Sequence, residues 1–156
     1  MKRSVLIVGG GIGGLSAAIA LGRDGHSVLV AERDPDWSVY GVGIIQQSNV
    51  VRAMEQLGVL DSFLSSASGF DAVEIFAPDG NRVARVPSPR LVEGRPANVG
   101  IGRPELQKVL GDAARANGAE IRLGLTVETL TDDGEKVAVT FSDGTSAAFD
   151  MVVGAD

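Results

Sequence analysis

The stretch from Val5 to Glu32 restricts the possible folds of this chain more than any other. A short apolar run, Val5-Leu6-Ile7-Val8, ends in Gly9-Gly10-Gly11-Ile12-Gly13-Gly14. Leu15, Ala18, Ile19 and Leu21 then recur at helical spacing, Gly25 stops that pattern, and Val28-Leu29-Val30-Ala31 runs into Glu32. This predicts a strand over Ser4 to Val8, a helix from about Ile12 to Asp24 with Gly25 as its C-cap, and a parallel strand over Ser27 to Glu32.

Each glycine of the turn has a physical task. Gly9 lets the chain leave the strand sharply, Gly11 leaves room for a pyrophosphate at the backbone, and Gly14 lets the helix pack closely on the sheet. The helix N-terminus offers unpaired N–H groups and partial positive charge to phosphates. Glu32 lies close to the ~20-residue spacing at which an acid accepts from ribose hydroxyls. It would repel a 2′-phosphate, so a nucleotide of the ADP-ribose type is expected. A glycine-rich strand–helix turn that binds nothing could share the glycines. The clear strand before them, the clear helix after them and the acid at Glu32 favour dinucleotide binding.

The chain has 156 residues, enough for one domain with a real core. It is 44% hydrophobic and 22% charged, proportions of a soluble globular protein. A net charge of −6 argues against nucleic acid and anionic membrane surfaces as partners. With no cysteine and a single histidine, His26, no metal site is expected. A reducing compartment fits the absence of cysteine, and a cytoplasmic location is expected. Lys2-Arg3 before an apolar run superficially resembles a secretory signal, but the glycine turn and the strand–helix–strand pattern explain the same residues better. No stretch is apolar for long enough to span a bilayer.

Further along, Arg33 to Gln47 reads as irregular, with Gly41 and Gly43 suggesting backbone close to something, either a ligand or an ordinary loop contact. Ser48 or Asn49 can N-cap a helix through about Leu57, and Leu60 to Ser66 reads as a second short helix. Phe70 to Phe76 alternates as a strand and pairs back with Arg82 to Val86 across Pro78-Asp79-Gly80. Asn98 to Ile101 is extended. Pro104 suits the first turn of a helix that buries Leu106, Val109, Leu110, Ala113 and Ala114. Glu120 to Leu123 is expected as a sheet strand. Leu125 to Thr131, Val137 to Phe141 and Ala147 to Phe149 form a β-meander, and Met151 to Val153 is a last buried strand. The class is α/β: a parallel sheet with a hairpin excursion and an antiparallel meander crossover, in one domain over 1–156.

Several blocks occur in one order: Gly9 to Gly14 with Glu32-Arg33; Gly41-Val42-Gly43-Ile44; Asn49 with Leu57-Gly58; Arg103-Pro104-Glu105-Leu106-Gln107; and Val153-Gly154-Ala155-Asp156. Together they resemble the N-terminal part of the FAD-dependent aromatic hydroxylases, the para-hydroxybenzoate hydroxylase-like single-component flavoprotein monooxygenases, over the whole chain. The resemblance implies a Rossmann-like FAD-binding domain. Gly9, Gly11, Ile12 and Gly14 would line the pyrophosphate, Glu32 would hold the adenosine ribose, and Arg33 would lie beside the adenosine. Gly43 would sit toward the flavin, Arg103 would reach the pyrophosphate and ribityl region, Val127 would meet adenine through its backbone, and Asp156 would stand near the cofactor. From the residues alone, Arg33 could equally be a surface cation, Val127 core packing and Asp156 a plain chain end; Arg103 could be a solvated cation, but its charge at the positive end of a helix dipole favours an anion opposite it.

The implied cofactors are tightly held FAD and NAD(P)H as a transient reductant. The implied activity is monooxygenation of an aromatic small molecule with O₂. No catalytic residue is assigned. Some family members carry a histidine after Gly-x-Gly-Ile, where this chain has Ile45. The family's substrate-covering sheet and its later Gly-Asp motif are not among these residues, so a second chain or further segment is expected to complete the site, and weak turnover is expected without it. Two alternatives stay open: a non-catalytic module that binds NAD or FAD, and another FAD oxidoreductase such as an oxidase, reductase or halogenase. Trp37, the only tryptophan, leaves no Trp-x-Trp pair of the halogenase kind.

Overall fold

The computed structural model describes residues 1–39 and 41–156; Tyr40, inside the segment expected to be irregular, lies outside them. In chain order the elements are β1 (Ser4–Val8), α1 (Ile12–Arg23), β2 (Ser27–Glu32), β3 (Gly43–Gln46), α2 (Ser48–Gln56), α3 (Leu60–Ser65), β4 (Ser68–Phe70), β5 (Ala72–Phe76), β6 (Arg82–Pro87), β7 (Asn98–Gly102), α4 (Arg103–Ala116), β8 (Glu120–Leu123), β9 (Val127–Asp132), β10 (Val137–Phe141), β11 (Ser146–Phe149) and β12 (Met151–Gly154). They fall into two compact units, 1–39 with 107–156, and 40–106. No helix among the described residues is long and apolar enough to cross a membrane.

The first unit is built on a four-stranded parallel sheet in the order β12-β1-β2-β8. Its central strands are buried on both faces, so they read as continuous apolar runs rather than alternating ones. On one face Leu6, Leu29 and Ala31 join Leu125, just before β9, and Val139, Phe141 and Phe149 of the β11-β10-β9 meander in one apolar cluster. There Phe141 and Phe149 meet edge to face, with centroids 6.4 Å apart. Val5 and Ile7, on the opposite face of β1, are buried as are Leu15, Ala18 and Ile19 of α1. Each fully buried Leu or Ile stabilises the fold by roughly 1.5–3 kcal/mol. Helix α1 stops where Gly25, at φ +83°, lets its N–H reach the Gly22 carbonyl and the His26 N–H reach that of Leu21. His26 Nδ1 accepts the Arg3 N–H at 3.1 Å, tying that turn to the start of β1.

The second unit holds the antiparallel sheet β3-β7-β4, the hairpin β5-β6 and helices α2 and α3. Three expectations change here. Gly43–Gln46, expected to be irregular, is a strand because β7 pairs with it, Gly43 opposite Gly102. Helix α2 begins at Ser48, with Gln47 at the cap and no side-chain cap bond, so neither Ser48 nor Asn49 caps it. The single strand expected over Phe70 to Phe76 is two: β4 pairs with β7, β5 pairs with β6, and Asp71 sits at the break.

Asp71 is fastened rather than free. Its carboxylate accepts from Arg90 Nε at 2.9 Å, Arg90 Nη2 at 2.6 Å and the Ala97 N–H at 2.9 Å. Chiefly through Arg90, its pKa falls from an ordinary 3.8 to about 2. A depressed acid contributes stability above its unfolded pKa and loses it as pH falls through the folded value. Stability of this unit is therefore expected to drop between pH 4 and pH 2, and Asp71→Asn is expected to flatten that part of the curve. Thermal melts followed by circular dichroism at several pH values check this; parallel curves for the two proteins would refute it.

Candidate functional site

The carboxyl ends of β1 and β2 open into a cleft of about 350 Å³. A crevice at this end of a parallel α/β sheet is where such folds take ligands. Gly9 and Gly11 line it from the turn after β1, Glu32 and Arg33 from the end of β2, Thr126 from the approach to β9, and Asp156 from the end of the chain.

The glycine turn explains its own composition. Gly9 takes φ +107° and donates its N–H to the Ala31 carbonyl at 2.8 Å. A Cβ on Gly9 would stand 2.6 Å from the Ala155 carbonyl oxygen, because the Ala155 N–H bonds the Val8 carbonyl at 2.8 Å. Gly14 is buried beneath the turn, where a Cβ would strike the Gly9 carbonyl oxygen. Gly11 is the opposite case: a Cβ there would meet no atom within 4 Å. It is the N-cap of α1, with no side-chain cap bond and no acid in the first helical turn. The positive end of the helix dipole thus faces no protein anion from that turn, which suits a phosphate.

Glu32 is half-buried, and each of its oxygens already accepts one backbone N–H: Oε2 from Gly10 at 2.7 Å, Oε1 from Asp34 at 2.8 Å. A carboxylate has about four acceptor positions, so roughly two remain for ligand hydroxyls. Asp34 is itself held below the usual carboxylate range, first by the Asp36 N–H and then by Ser38.

Not all the expected residues gather at this cleft. Ile12 is exposed at the first position of α1, and Gly14 packs under the turn instead of lining the space. Val127 lines a neighbouring cavity of about 510 Å³ with Val152 and Asp156, and packs against the meander core. Gly43 and Arg103 belong to the second unit. Gly43 lines an open groove there of about 710 Å³, formed by β3, β7 and residues 65–68. Arg103 opens α4, and a Cβ on Gly41 would lie 3.1 Å from its Cδ. The glycine at 41 therefore makes room for Arg103, which answers part of what the Gly41–Gly43 pair implied. Thr126 and Trp37 carried no motif that would have singled them out.

The family described as "FAD binding domain" matches residues 2–156. The chain belongs to that family. This FAD-binding domain is 32% identical over 154 residues to the putative FAD-dependent monooxygenase YetM of Bacillus subtilis, covering 99% of the chain and 42% of YetM. It is 36% identical over 150 residues to a 2-heptyl-3-hydroxy-4(1H)-quinolone synthase of Mycobacteroides abscessus, covering 96% and 39%. The chain thus spans about two-fifths of the length of these relatives. Among solved structures it is similar to the tetrameric form of 2-methyl-3-hydroxypyridine-5-carboxylic acid oxygenase, with a TM-score of 0.79 and 30% identity over 99% of this chain and 39% of that one. It is also similar to CtdE, solved with FAD and a substrate, with a TM-score of 0.82 and 25% identity over 99% and 38%. The open position at Gly11, the acid-free start of α1 and the spare acceptor capacity of Glu32 fit the ADP half of FAD.

Proposed function

We propose that this FAD-binding domain serves a monooxygenase that transfers one oxygen atom of O₂ to an aromatic small molecule, with NAD(P)H as reductant. When bound, FAD supplies the redox chemistry; these residues bind and orient it. The start of α1 and the Gly11 backbone take the pyrophosphate, and Ile12 flanks it at the helix mouth. Gly9 and Gly14 keep the turn tight enough for that approach. Glu32 accepts hydroxyls of the adenosine ribose, Arg33 lies beside the adenosine, and Val127 meets adenine through its backbone. Asp156 would stand near the cofactor, with Arg103 assigned to its pyrophosphate and ribityl region and Gly43 to its flavin end.

The observation that carries this reading is the cleft beside Gly11, empty of protein atoms where a side chain would stand and faced by Glu32 across the sheet. The names of the relatives support the reaction class.

The test is a titration of the chain with FAD and with NAD, followed by flavin and intrinsic fluorescence. FAD is expected to bind more tightly than NAD. Glu32→Ala is expected to weaken FAD by about ten- to a hundredfold, on the order of 1.5–3 kcal/mol for charge-assisted hydrogen bonds. Unchanged affinity in this variant would remove Glu32 from the site. Binding of NAD without FAD would instead make the chain a nicotinamide-nucleotide module.

A further inference from the structure

Gly10 is held from two sides by side chains. Its N–H donates to Glu32 Oε2 at 2.7 Å, and its carbonyl accepts the indole Nε1–H of Trp37 at 2.9 Å. The segment between those side chains closes the ring. The Asp34 N–H donates to Glu32 Oε1 at 2.8 Å, and the Trp37 N–H donates to the Asp34 carbonyl at 3.2 Å. The Asp34 carboxylate takes the N–H groups of Asp36 and Ser38, each at 2.9 Å, and so shapes the turn that carries the tryptophan.

Trp37 adopts φ +49°, a left-handed conformation that non-glycine residues rarely use. Such conformations persist where neighbours over-determine them, and here helix α4 does so. A Cβ on Gly111 would stand 2.8 Å from Trp37 Cη2, so the glycine seats the ring against the helix. The Arg115 guanidinium lies 5.1 Å from the ring centroid, within reach of the negative ring face. Gln107 Nε2 donates to the Trp37 carbonyl at 3.2 Å. The indole is thus fixed before it meets the glycine turn.

Across a trans peptide the carbonyl and the following N–H point in opposite directions, and the described chain has no cis bond. Holding the Gly10 carbonyl on the indole therefore turns the Gly11 N–H away from Trp37. Without that anchor the Gly10–Gly11 peptide could rotate, since glycine on both sides resists rotation least. We infer that Trp37 is a positioning residue for the dinucleotide: through the Gly10 carbonyl it sets the Gly11 N–H for the phosphate before the ligand arrives. Preorganisation of this kind raises affinity by removing an ordering cost at binding. The inference rests on the FAD-binding reading of the cleft and extends it to a residue outside the motif.

The experiment uses the 156-residue chain, with FAD and ADP as probes. Trp37→Phe keeps an aromatic ring beside Gly111 and Arg115 and removes the indole N–H. Its Kd for both probes is expected to rise about five- to tenfold, the size of one net hydrogen bond. The Gly11 amide resonance is expected to shift and to exchange faster in the ligand-free variant. In the wild type the single indole N–H resonance should be protected from exchange and should move when ADP binds. A wild-type chain that binds neither probe would refute the proposed function itself, whatever Trp37 does. Wild-type binding with a variant Kd within twofold overturns the inference. So does a weaker Kd that only follows a smaller folded fraction while the Gly11 resonance stays in place. If the variant does not fold, an unprotected and unmoved indole resonance in the wild type overturns it equally.

Discussion

Replacing Gly11 by valine is expected to abolish most FAD binding while leaving the free protein nearly as stable as before. The backbone at Gly11, φ −79° and ψ −172°, is one any residue can adopt, and a Cβ there meets nothing within 4 Å. The cost to the ligand-free fold is that of a poor N-cap, about 1 kcal/mol, or about 2–4 °C in the thermal midpoint of a chain this size. The ligand meets a branched side chain at the position the pyrophosphate needs. It also loses charge-assisted contacts to the backbone, each about 1.5–3 kcal/mol. Together these predict a loss of about 100-fold or more in FAD affinity. Calorimetric titration and a melt of the ligand-free variant check both halves. FAD affinity within threefold of wild type would show that the pyrophosphate does not lie against Gly11.

Gly14→Ala is expected to do the reverse, damaging the fold first. Its Cβ would strike the Gly9 carbonyl oxygen and approach Ile7 Cγ2 to 3.2 Å. The oxygen cannot swing aside easily. Gly9 is tied to Ala31 through its N–H and crowded by Ala155 behind it. Either α1 lifts from the sheet or the turn distorts, and Leu15, Ala18 and Ile19, now fully buried, lose packing. Overpacking of this kind costs about 3 kcal/mol, or about 6–12 °C in the midpoint. A melt of the ligand-free protein decides it, because the effect needs no cofactor. A variant melting within a degree of wild type would mean that the turn yields more readily than its hydrogen bonds imply. Side chains added at two glycines three residues apart in one motif thus separate binding from folding.

The glycine turn and its flanking strands were legible in the sequence because all their determinants are local. Apolar runs, helical spacing, the stop at Gly25 and the acid at Glu32 lie within 28 consecutive residues. The boundaries of β2, β8 and β10 agree with their expected residues for the same reason: β2 and β10 are mainly apolar runs, β8 alternates as Glu-Ile-Arg-Leu, and glycine-containing turns punctuate the chain around them. The FAD-binding family was legible from ordered blocks, although no single block would have carried it.

What stayed hidden depends on partners far away along the chain. Gly43–Gln46 holds only two β-branched residues, Ile44 and Ile45, between glycine and glutamine, too short a run to announce a strand before its pairing with β7 is known. The break at Asp71 follows from β4 and β5 choosing different partners, which alternation within Phe70 to Phe76 cannot encode. Gly41 makes room for Arg103, and Gly111 makes room for Trp37. A glycine announces that space is needed but not what fills it.

Glu32 shows the division most plainly. Spacing along the chain placed an acid at the end of the second strand, where a sugar would need it. Only the folded chain decided that the same carboxylate first gathers the Gly10 and Asp34 amides, so that it shapes the site as well as lining it. Local sequence determined the strand–turn–helix and its opening toward a phosphate, because those follow from backbone freedom and apolar periodicity over a few turns. Tertiary structure decided which side chains hold that opening in place, because hydrogen bonds and close contacts between distant segments exist only after the chain has folded.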